Sequence, residues 1–333
     1  MKSRGRYAFV ARPYCTEFLE ERLMSSPLIN DLLEILDSLS GGVHPGFRPV
    51  HAKGTMYAGT FVPAPGATDL TRAPHAARPS TPITVRFSIS SGIPTVPDND
   101  PNESSPQAMA VRFHLADHVH TDIIAHSYNG FLARTGEEVL AFFRAIAASG
   151  PGAPAPAPIA AFLETHPAAK AFVESPKLIP ASFARQAYFA VTAFRFTNRD
   201  NVSRFGRFRL RPEAGTEFLT PEQAERKTAD FLAAELSERL ARGPVVFRVL
   251  VQLAEQGDEV ADATAVWPES RPQVEFGTIT LTERVDELAP DRRKIIFDPV
   301  PRVDGIESAG DPLTEVRSEV YLMSGRRRRA AAR

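Results

Sequence analysis

The sequence predicts an α+β fold in which an antiparallel β-barrel of about eight strands carries inserted and C-terminal helices. Two features of the sequence lead to this prediction. Long segments rich in β-branched and aromatic residues follow one another in meanders and are bounded by turn residues. Helical patterns come in blocks between them, whereas a parallel sheet would need a helix after almost every strand. A barrel of about eight strands can hold one ligand in its mouth.

The first part of the chain combines one helix with several strands. A helix is predicted at residues 15–39, where leucines and isoleucine recur at helical spacing and Pro27 interrupts the pattern. Glycines and alternating apolar residues between 41 and 63 favour bent strands. β-branched and apolar residues predict three more strands, at 83–90, 108–117 and 121–131.

The middle of the chain is mainly helical. A helix is predicted at 136–149 from its apolar spacing. The run of proline, glycine and alanine at 150–158 cannot continue that helix and predicts a stiff extended loop. Residues 159–175 have a helical pattern again, which is broken near Pro167.

Strands return in the last part of the chain. Two alternating segments, 187–198 and 203–212, flank Asn201 and predict a hairpin. Thr220 and Gln223 have the spacing of a helix-capping pair. The remaining predicted elements are a helix at 221–242, strands at 244–258 and 273–283, and a final helix at 311–329.

Composition narrows the classes of function. Lys and Arg number 39 and Asp and Glu number 40, so the formal net charge of −1 favours neither nucleic acid nor an anionic membrane as a partner. Cys15 is the only cysteine, which excludes an internal disulfide and a cysteine-based metal site. No signal peptide and no membrane-spanning apolar run is visible. We therefore expect a soluble, cytoplasmic protein.

Arg317 and Tyr321 form the most informative pair in the sequence. They are four residues apart in the final predicted helix, so that their side chains lie on one face. A guanidinium beside a phenol favours the anionic phenolate form. Phenolate oxygen is one of the protein ligands that hold haem iron.

Five stretches resemble, in order, the catalase superfamily, and specifically its short catalase-related peroxidases. The resemblance covers roughly residues 40–329. Its most specific parts are the HAKG motif that contains His51, and the final stretch with its FDP start, its GIE-S-DP turn and its R-x-x-x-Y helix. The five stretches are 48–54, 83–88, 108–127, 263–283 and 297–321. The apolar pattern predicts an N-terminal helical segment at 1–39, and the resemblance implies one catalase-like, haem-binding barrel domain at 40–333.

The resemblance also implies residue roles on the two faces of a haem. Tyr321 is similar to the proximal iron ligand, and Arg317 to its charge partner. His51 is similar to the distal histidine that takes a proton from one peroxide oxygen and returns it to the other. A histidine suits this role because its ordinary pKa lies near neutrality. Ser88 resembles the serine that holds that imidazole by a hydrogen bond.

Other residues are implied to hold the haem and to shape its access. Arg48 and Arg86 resemble the arginines that pair with haem propionates, and planar guanidinium groups suit carboxylates. We expect both to lie in strands. Arg328 lies where the family often has a further propionate arginine. Val50 resembles the valine that narrows the substrate channel.

One site residue of the large catalases is missing. Their distal asparagine, which helps hold peroxide, corresponds here to His126, or to Ser127 if the register shifts by one residue. The extended arms and C-terminal domain of those enzymes also have no counterpart in this sequence. We therefore expect a more accessible haem and a peroxidase rather than an enzyme that disproportionates hydrogen peroxide.

The resemblance thus predicts a haem b peroxidase that uses hydrogen peroxide or organic hydroperoxides to oxidise small organic donors. Its partners would be a peroxide and an organic reductant, with no nucleic acid and no membrane span. Leu- and Phe-bearing helix faces offer a surface for a homodimer. Three alternatives stay open: a true catalase, a fatty-acid hydroperoxide isomerase resembling allene oxide synthases, and a non-catalytic haem-binding barrel.

Overall fold

The central feature of the fold is an antiparallel sheet of ten strands that closes on itself. The structure is a computed structural model, and it describes residues 26–331. The strands are β1 Gly54–Pro63, β2 Thr81–Ser88, β3 Ala108–Ala116, β4 Val119–His126, β5 Tyr188–Phe189, β6 Phe194–Thr197, β7 Ser203–Pro212, β8 Val245–Leu253, β9 Gln273–Val285 and β10 Ile306–Ser308.

Eight of these strands form the barrel. Their order is β1-β2-β3-β4-β5-β7-β8-β9, and β9 pairs with β1 to close the ring. Strands β6 and β10 extend the sheet outward from β7. The predicted antiparallel barrel of about eight strands with added helices is therefore confirmed.

Eleven α-helices and one short 3₁₀ helix cover the barrel within the described residues. The helices are α1 Pro27–Leu39, α2 Ala67–Leu70, α3 Pro74–Ala77, α4 Pro101–Ser104, α5 Gly136–Ala147, α6 Pro158–Thr165, α7 Pro167–Glu174, α8 Pro221–Glu225, α9 Phe231–Arg242, α10 Pro290–Arg293 and α11 Pro312–Ala330, with the 3₁₀ helix at Phe183–Arg185. Among residues 26–331, no helix is both long and apolar enough to cross a membrane.

Both faces of the barrel wall carry buried apolar side chains. Tyr57 and Phe61 of β1 have no exposed surface and belong to the large core inside the barrel. Met56 points to the other face, as the alternation of a strand requires, and packs with Ile295 and Phe297. The segment that leads to α11 is therefore held against the outer face of the barrel.

The prediction of one strand at 187–198 was wrong. The structure has two short strands, β5 and β6, separated by residues 190–193. The carbonyl of Ala190 accepts a hydrogen bond of 3.0 Å from Nη1 of Arg209, a side chain of β7. Because this carbonyl pairs with a side chain rather than with a neighbouring strand, the ladder is interrupted.

The prediction of one helix at 221–242 was also wrong, although the capping pair of Thr220 and Gln223 is present. The segment forms α8 and α9, with a break at 226–230. Nζ of Lys53 donates to the carbonyl of Ala229 at 2.7 Å, and the N–H of Leu232 donates to Asp98 at 3.0 Å. These long-range contacts fix the backbone where the helix stops.

Several element ends differ from the prediction. Only Gly54–Pro63 of the 41–63 segment is a strand, so Arg48 lies in a loop that contains two prolines and not in a strand. Four other strands end earlier than predicted, at Ser88, Ala116, His126 and Leu253.

Other predictions agree with the structure. The turn of the predicted hairpin contains Asn201 in a left-handed conformation, with φ of 60°. The final helix begins after Asp311, whose side chain accepts from the N–H of Leu313. The helix expected at 15–39 is present from Pro27, and its residues 15–25, including Cys15, lie outside the described residues.

Candidate active site

His51 lies in the loop before β1 in a backbone conformation that is unusual for its residue type. Its φ is 57°, in the left-handed region that costs free energy for a residue with a side chain. Its N–H donates to the carbonyl of Ser90 at 3.1 Å, and its carbonyl accepts from Nη1 of Arg86 at 3.1 Å. Both backbone groups are thus fixed, and they hold the ring in place.

The imidazole of His51 is oriented by the last residue of β2. Oγ of Ser88 lies 3.3 Å from Nδ1 of His51, which leaves Nε2 for a substrate. Burial, and then the charge of Arg86, lowers the pKa of His51 to about 3. The ring is therefore neutral near pH 7 and can accept a proton.

Arg317 and Tyr321 lie together on α11, as their spacing predicts. Nε of Arg317 donates to the phenol oxygen of Tyr321 at 3.2 Å. Nη1 of Arg317 lies 3.5 Å from Oγ1 of Thr192, in the loop that interrupts the predicted strand at 187–198. The guanidinium is thus directed at the phenol oxygen from a position between α11 and the barrel.

A chain of hydrogen bonds connects α11 to the barrel wall. Arg112 of β3 pairs with Asp122 of β4, with Nε and Oδ1 2.9 Å apart. Asp122 also accepts from the N–H of Asp298 at 2.8 Å, and the carboxylate of Asp298 accepts from Ser318 at 2.7 Å. No sequence pattern predicted a role for these residues, although the FDP motif that contains Asp298 pointed to this segment.

The helix also approaches the barrel closely at Gly325. A Cβ atom at this position would lie 2.3 Å from the side chain of Ile296, closer than atoms can come without a shift. Glycine at this position therefore allows α11 to lie directly on the segment that carries Asp298.

Three arginines and one carboxylate form a cluster that we call the arginine rim, made of Arg48, Arg86, Arg328 and Glu287. Oε1 of Glu287 lies 2.6 Å from Nε of Arg86 and 3.0 Å from Nη1 of Arg48. Burial alone would raise the pKa of Glu287, but the charges of Arg86 and Arg48 hold it below its ordinary value. No sequence signal pointed to Glu287.

Arg328 completes the rim from α11. Its guanidinium donates to the carbonyls of Arg293 and Ile295 at 3.1 and 3.3 Å. Burial, and then the charge of Arg86, lowers the pKa of Arg328 to about 10, so it is still charged at pH 7. Within the described chain its Nε is buried and has no hydrogen-bond partner.

Gly54 makes room for Arg86 at the start of β1. A Cβ atom there would lie 2.4 Å from the guanidinium carbon of Arg86 and 2.6 Å from the carbonyl oxygen of Phe87. The glycine of the HAKG motif therefore lets Arg86 reach both the rim and the backbone of His51. Val50, the residue before His51, is half-buried.

His126 and Ser127 both lie at the end of β4. Oγ of Ser127 accepts from the N–H of Gln107 at 3.1 Å and lies 3.3 Å from that residue's Oε1. His126 packs near Phe131, with 6.0 Å between the ring centroids, and the guanidinium of Arg317 lies 5.9 Å from the centre of the same phenylalanine ring. Of the two residues, His126 is the one near Arg317.

These groups fit a haem better than a bare metal ion. Residues 26–331 contain no group of three or more His, Cys, Asp or Glu side chains that could hold an ion. The rim has more guanidinium groups than carboxylates, and one buried guanidinium nitrogen is unpaired. A porphyrin brings its own four nitrogen ligands and two carboxylates, which would supply the missing anionic partners.

The chain matches known proteins over most of its length. A protein-family model described as Catalase matches residues 45–332. The chain is 37% identical over 288 residues to a catalase-related peroxidase of Mycolicibacterium paratuberculosis, covering 86% of this chain and 90% of that protein. It is 33% identical over 300 residues to a catalase-related peroxidase of Synechococcus elongatus, covering 87% and 86%.

Longer proteins match less closely. Catalase-2 of Bacillus subtilis is 28% identical over 298 residues, which cover 82% of this chain but only 42% of that protein. Among solved structures, a fungal catalase and catalase A from Saccharomyces cerevisiae each superpose with a TM-score of 0.74 at 21% identity. Each match covers 89% of this chain, and 62% and 64% of the two structures, respectively.

Proposed function

Because this chain belongs to the catalase family, we propose that it is a haem-dependent peroxidase that uses a peroxide to oxidise small organic donors. The family implies a haem cofactor and a peroxide substrate. The finer proposals are haem b as the cofactor and either hydrogen peroxide or an organic hydroperoxide as the oxidant. The name catalase-related peroxidase of two relatives that match over most of both chains supports peroxidase activity over disproportionation.

One observation carries this proposal: Arg86 and Arg48 of the arginine rim, and Arg317 of the Arg–Tyr pair, are near enough to the hydrogen-bonded imidazole of His51 for their charges to lower its pKa. His51 with Ser88 comes from the start of the barrel, and Arg317 with Tyr321 comes from the last helix. Haem, when bound, supplies the iron that exchanges electrons with peroxide. The phenol oxygen of Tyr321 would ligate that iron, with Arg317 donating to it.

The rim would hold the cofactor's edge. The guanidinium groups of Arg48, Arg86 and Arg328 would pair with the two carboxylates of haem b, a geometry that favours bidentate bonds. Glu287 already pairs with two of these arginines, so cofactor carboxylates would have to share or displace its bonds.

His51 would move the proton. Its neutral ring accepts a proton from one peroxide oxygen and returns it to the other, while Ser88 holds the far side of the ring. Cleavage of the O–O bond then needs no proton from bulk water. Val50 lies next to His51 and would narrow the approach to it.

A cavity beside the rim supports a small organic donor as the reductant. It has a volume of about 150 Å³ and is bounded by Arg48, Arg328 and the loop at 42–49. Val43 and Phe47 of this loop are 59% and 45% exposed, which gives the cavity an apolar entrance. A flat aromatic donor would fit there at the edge of the cofactor.

Three less specific proposals accompany this function. We propose one catalase-like domain over 40–333 preceded by a helical segment, a cytoplasmic location, and a homodimer formed through apolar helix faces. The single closed sheet supports the domain assignment, and the other two rest on the sequence alone. Gel filtration with light scattering would test the dimer, and cell fractionation would test the location.

The function is tested on full-length protein reconstituted with iron protoporphyrin IX. A ferric spectrum of phenolate type, together with peroxide-dependent oxidation of a phenolic dye, is the expected result. An oxygen electrode run in parallel separates the alternatives, because oxygen release from hydrogen peroxide alone indicates a catalase. Turnover of a fatty-acid hydroperoxide without donor indicates an isomerase, and no consumption of any peroxide indicates a haem carrier.

A further inference from the structure

We propose that Lys53 is a positioning residue, whose anchored ammonium group holds His51 in the orientation that lets Nε2 of the imidazole meet the bound peroxide. This inference rests on the proposed peroxidase function. Lys53 is the third residue of the HAKG motif and lies two residues after His51, immediately before β1.

The backbone between His51 and Lys53 has little freedom to move. The N–H of Ala52 donates to the carbonyl of Ser91 at 2.9 Å, and the carbonyl of Ala52 accepts from Nη2 of Arg86 at 3.1 Å. Both backbone groups of His51 are bonded as well. A displacement of Lys53 would therefore be passed on to His51 rather than absorbed between them.

Lys53 completes the attachment of this segment to the chain beyond β2. Its carbonyl accepts from the N–H of Ile89 at 3.3 Å, so that hydrogen bonds at three successive residues join 51–53 to 89–91. His51 has a φ of 57°, and a residue with a side chain keeps such a conformation only when its surroundings hold it there. The strained backbone of His51 thus depends on how firmly this segment is held.

The ammonium group of Lys53 lies among four oxygen atoms. Nζ donates to the carbonyls of Val96 and Ala229 at 2.9 and 2.7 Å. It also lies 2.9 Å from Oδ1 of Asp98 and 2.7 Å from Oδ1 of Asp230. An ammonium group has three donors, and all three have partners here. Because these oxygens belong to the loop after β2 and to the break between α8 and α9, the side chain ties the start of β1 to two separate segments.

Asp98 is the best-fixed of these partners. Its side chain is 3% exposed, whereas that of Asp230 is 78% exposed, so water screens the second ion pair far more than the first. Asp98 also accepts from the N–H of Leu232 at 3.0 Å, at the start of α9. The position of Lys53 is therefore set by a buried carboxylate that is itself held in place.

The structure gives Lys53 a role through position rather than through charge. Burial, and then the charges of three arginines of the site, lowers the pKa of His51 to about 3. The ammonium of Lys53 is paired with two carboxylates, which offset its charge locally. Removal of Lys53 should therefore displace the imidazole.

Four single variants separate positioning from a general effect of a lost charge. Lys53→Met removes the ammonium and keeps a flexible, unbranched side chain. Asp98→Asn keeps an acceptor for the N–H of Leu232 and removes the charge that pairs with Lys53. Asp230→Asn changes only the exposed partner, and Lys170→Met is the matched control at a lysine of α7 that is 55% exposed.

The first measurement is the second-order rate constant of the reaction with peroxide, by stopped flow, for each full-length protein loaded with iron protoporphyrin IX. We expect Lys53→Met to lower this constant roughly 10- to 100-fold, because a shift of about 1 Å in a catalytic group can cost about 10²-fold. Asp98→Asn should lower it roughly three- to tenfold. The double variant should be no slower than Lys53→Met, since both changes break one contact.

The two controls should change the rate constant less than about twofold. A native rate constant in Lys53→Met would overturn the assignment. If that variant does not fold, a native rate constant in Asp98→Asn overturns it instead.

A second measurement needs no turnover. Protein with ¹⁵N-labelled histidine is loaded with zinc protoporphyrin IX, which is diamagnetic, and the imidazole nitrogens are observed by NMR. The His51 signals, identified by their loss in His51→Gln, should show one protonated and one bare nitrogen in native protein, since Ser88 orients the ring.

In Lys53→Met and Asp98→Asn the two nitrogen signals of His51 should move toward each other, because a loosened ring exchanges between its tautomers. Unchanged signals in both variants would show that Lys53 stabilises the fold without positioning the imidazole. That result would sink the proposal even if the protein proved to be a working peroxidase.

Discussion

The carboxylate of Asp298 accepts a hydrogen bond of 2.7 Å from Ser318, the residue that follows Arg317 on α11. Because Asp298 also binds Asp122 on the barrel wall through its backbone N–H, it connects the last helix to the strands. Asp298 thus helps to fix the position of the Arg317–Tyr321 pair, although it forms no hydrogen bond with either residue.

Asp298→Ala is expected to weaken this connection. Loss of the acceptor leaves the Ser318 hydroxyl unpaired, and we expect the free energy of unfolding to fall by about 1–3 kcal/mol. Haem titration should show weaker binding as well, because α11 loses its fixed position. Chemical denaturation of Asp298→Ala beside Asp304→Asn, a control at an exposed carboxylate paired with Arg72, measures the effect. Equal stability of the two variants would contradict the structural role.

Tyr321→Phe should remove the proposed iron ligand while keeping the ring. We expect at least a tenfold loss of haem affinity, equivalent to about 1.4 kcal/mol or more, and loss of the phenolate-type spectrum. Tyr57→Phe is the matched control, since Tyr57 lies inside the barrel and its buried hydroxyl has no partner within the described residues. Full haem retention with an unchanged spectrum in Tyr321→Phe would refute the ligand assignment.

The rate of reaction with peroxide should not change with pH between about 8 and 5, because the ring of His51 stays neutral over this range. Its pKa is lowered to about 3, so the ring stays neutral and able to accept a proton as the pH falls from about 8 to 5. A ring with the ordinary value of about 6.5 would lose activity progressively below that pH. Stopped-flow rates of peroxide reaction across this range decide between the two. His51→Gln should lower the rate by roughly 10²–10⁴-fold, and His44→Gln should not.

Glu287→Gln should strengthen haem binding. The native carboxylate would compete with haem carboxylates for Arg48 and Arg86, their proposed partners, and the neutral amide would compete less well. The haem-free protein should become less stable at the same time, because two guanidinium groups lose their anionic partner. Haem titration and thermal unfolding measure both effects, with Glu283→Gln as an exposed control. Weaker haem binding in Glu287→Gln would show that the carboxylate supports the rim rather than competing for it.

His75 should destabilise the protein in acid. It is 1% exposed among Phe61, Phe113 and Phe276, and burial, followed by the charge of Arg78, lowers its pKa to about 3. The unfolded chain binds a proton below about pH 6.5 that the folded chain cannot bind, so stability falls as the pH decreases toward 3.

Replacement of His75 isolates this effect. His75→Phe should reduce the pH dependence of the unfolding free energy by about 1.4 kcal/mol per pH unit between pH 6 and 4. His118→Asn is the control, since the His118 side chain is 94% exposed. Denaturant unfolding at several pH values gives the slopes, and parallel slopes for native protein and His75→Phe would rule out the proposed cause.

Local sequence patterns predicted the regular elements well because these elements depend on near neighbours. The strand at 203–212 and the final helix follow from alternation and from spacing within a few residues. The broken strand at 187–198 and the split helix at 221–242 depend instead on Arg209 and Lys53, side chains that reach them from elsewhere in the chain.

The same distinction applies to the site. The resemblance pointed to His51, Ser88 and the Arg317–Tyr321 pair because short motifs contain them, and the structure brings the members of each pair into contact. Glu287 lies in no motif and is significant only because folding places it between two arginines. Charge balance of this kind depends on tertiary contacts, which local patterns do not encode.

The chain order of the site has a consequence for biosynthesis. His51 precedes the first barrel strand and Tyr321 follows the last strand, so the whole sheet is translated between them. A growing chain on the ribosome can complete the barrel before its terminal helix emerges. With Tyr321 as the proposed ligand, tight capture of the prosthetic group must wait until α11 has emerged, and newly made protein should pass through a cofactor-free stage that pulse labelling can detect.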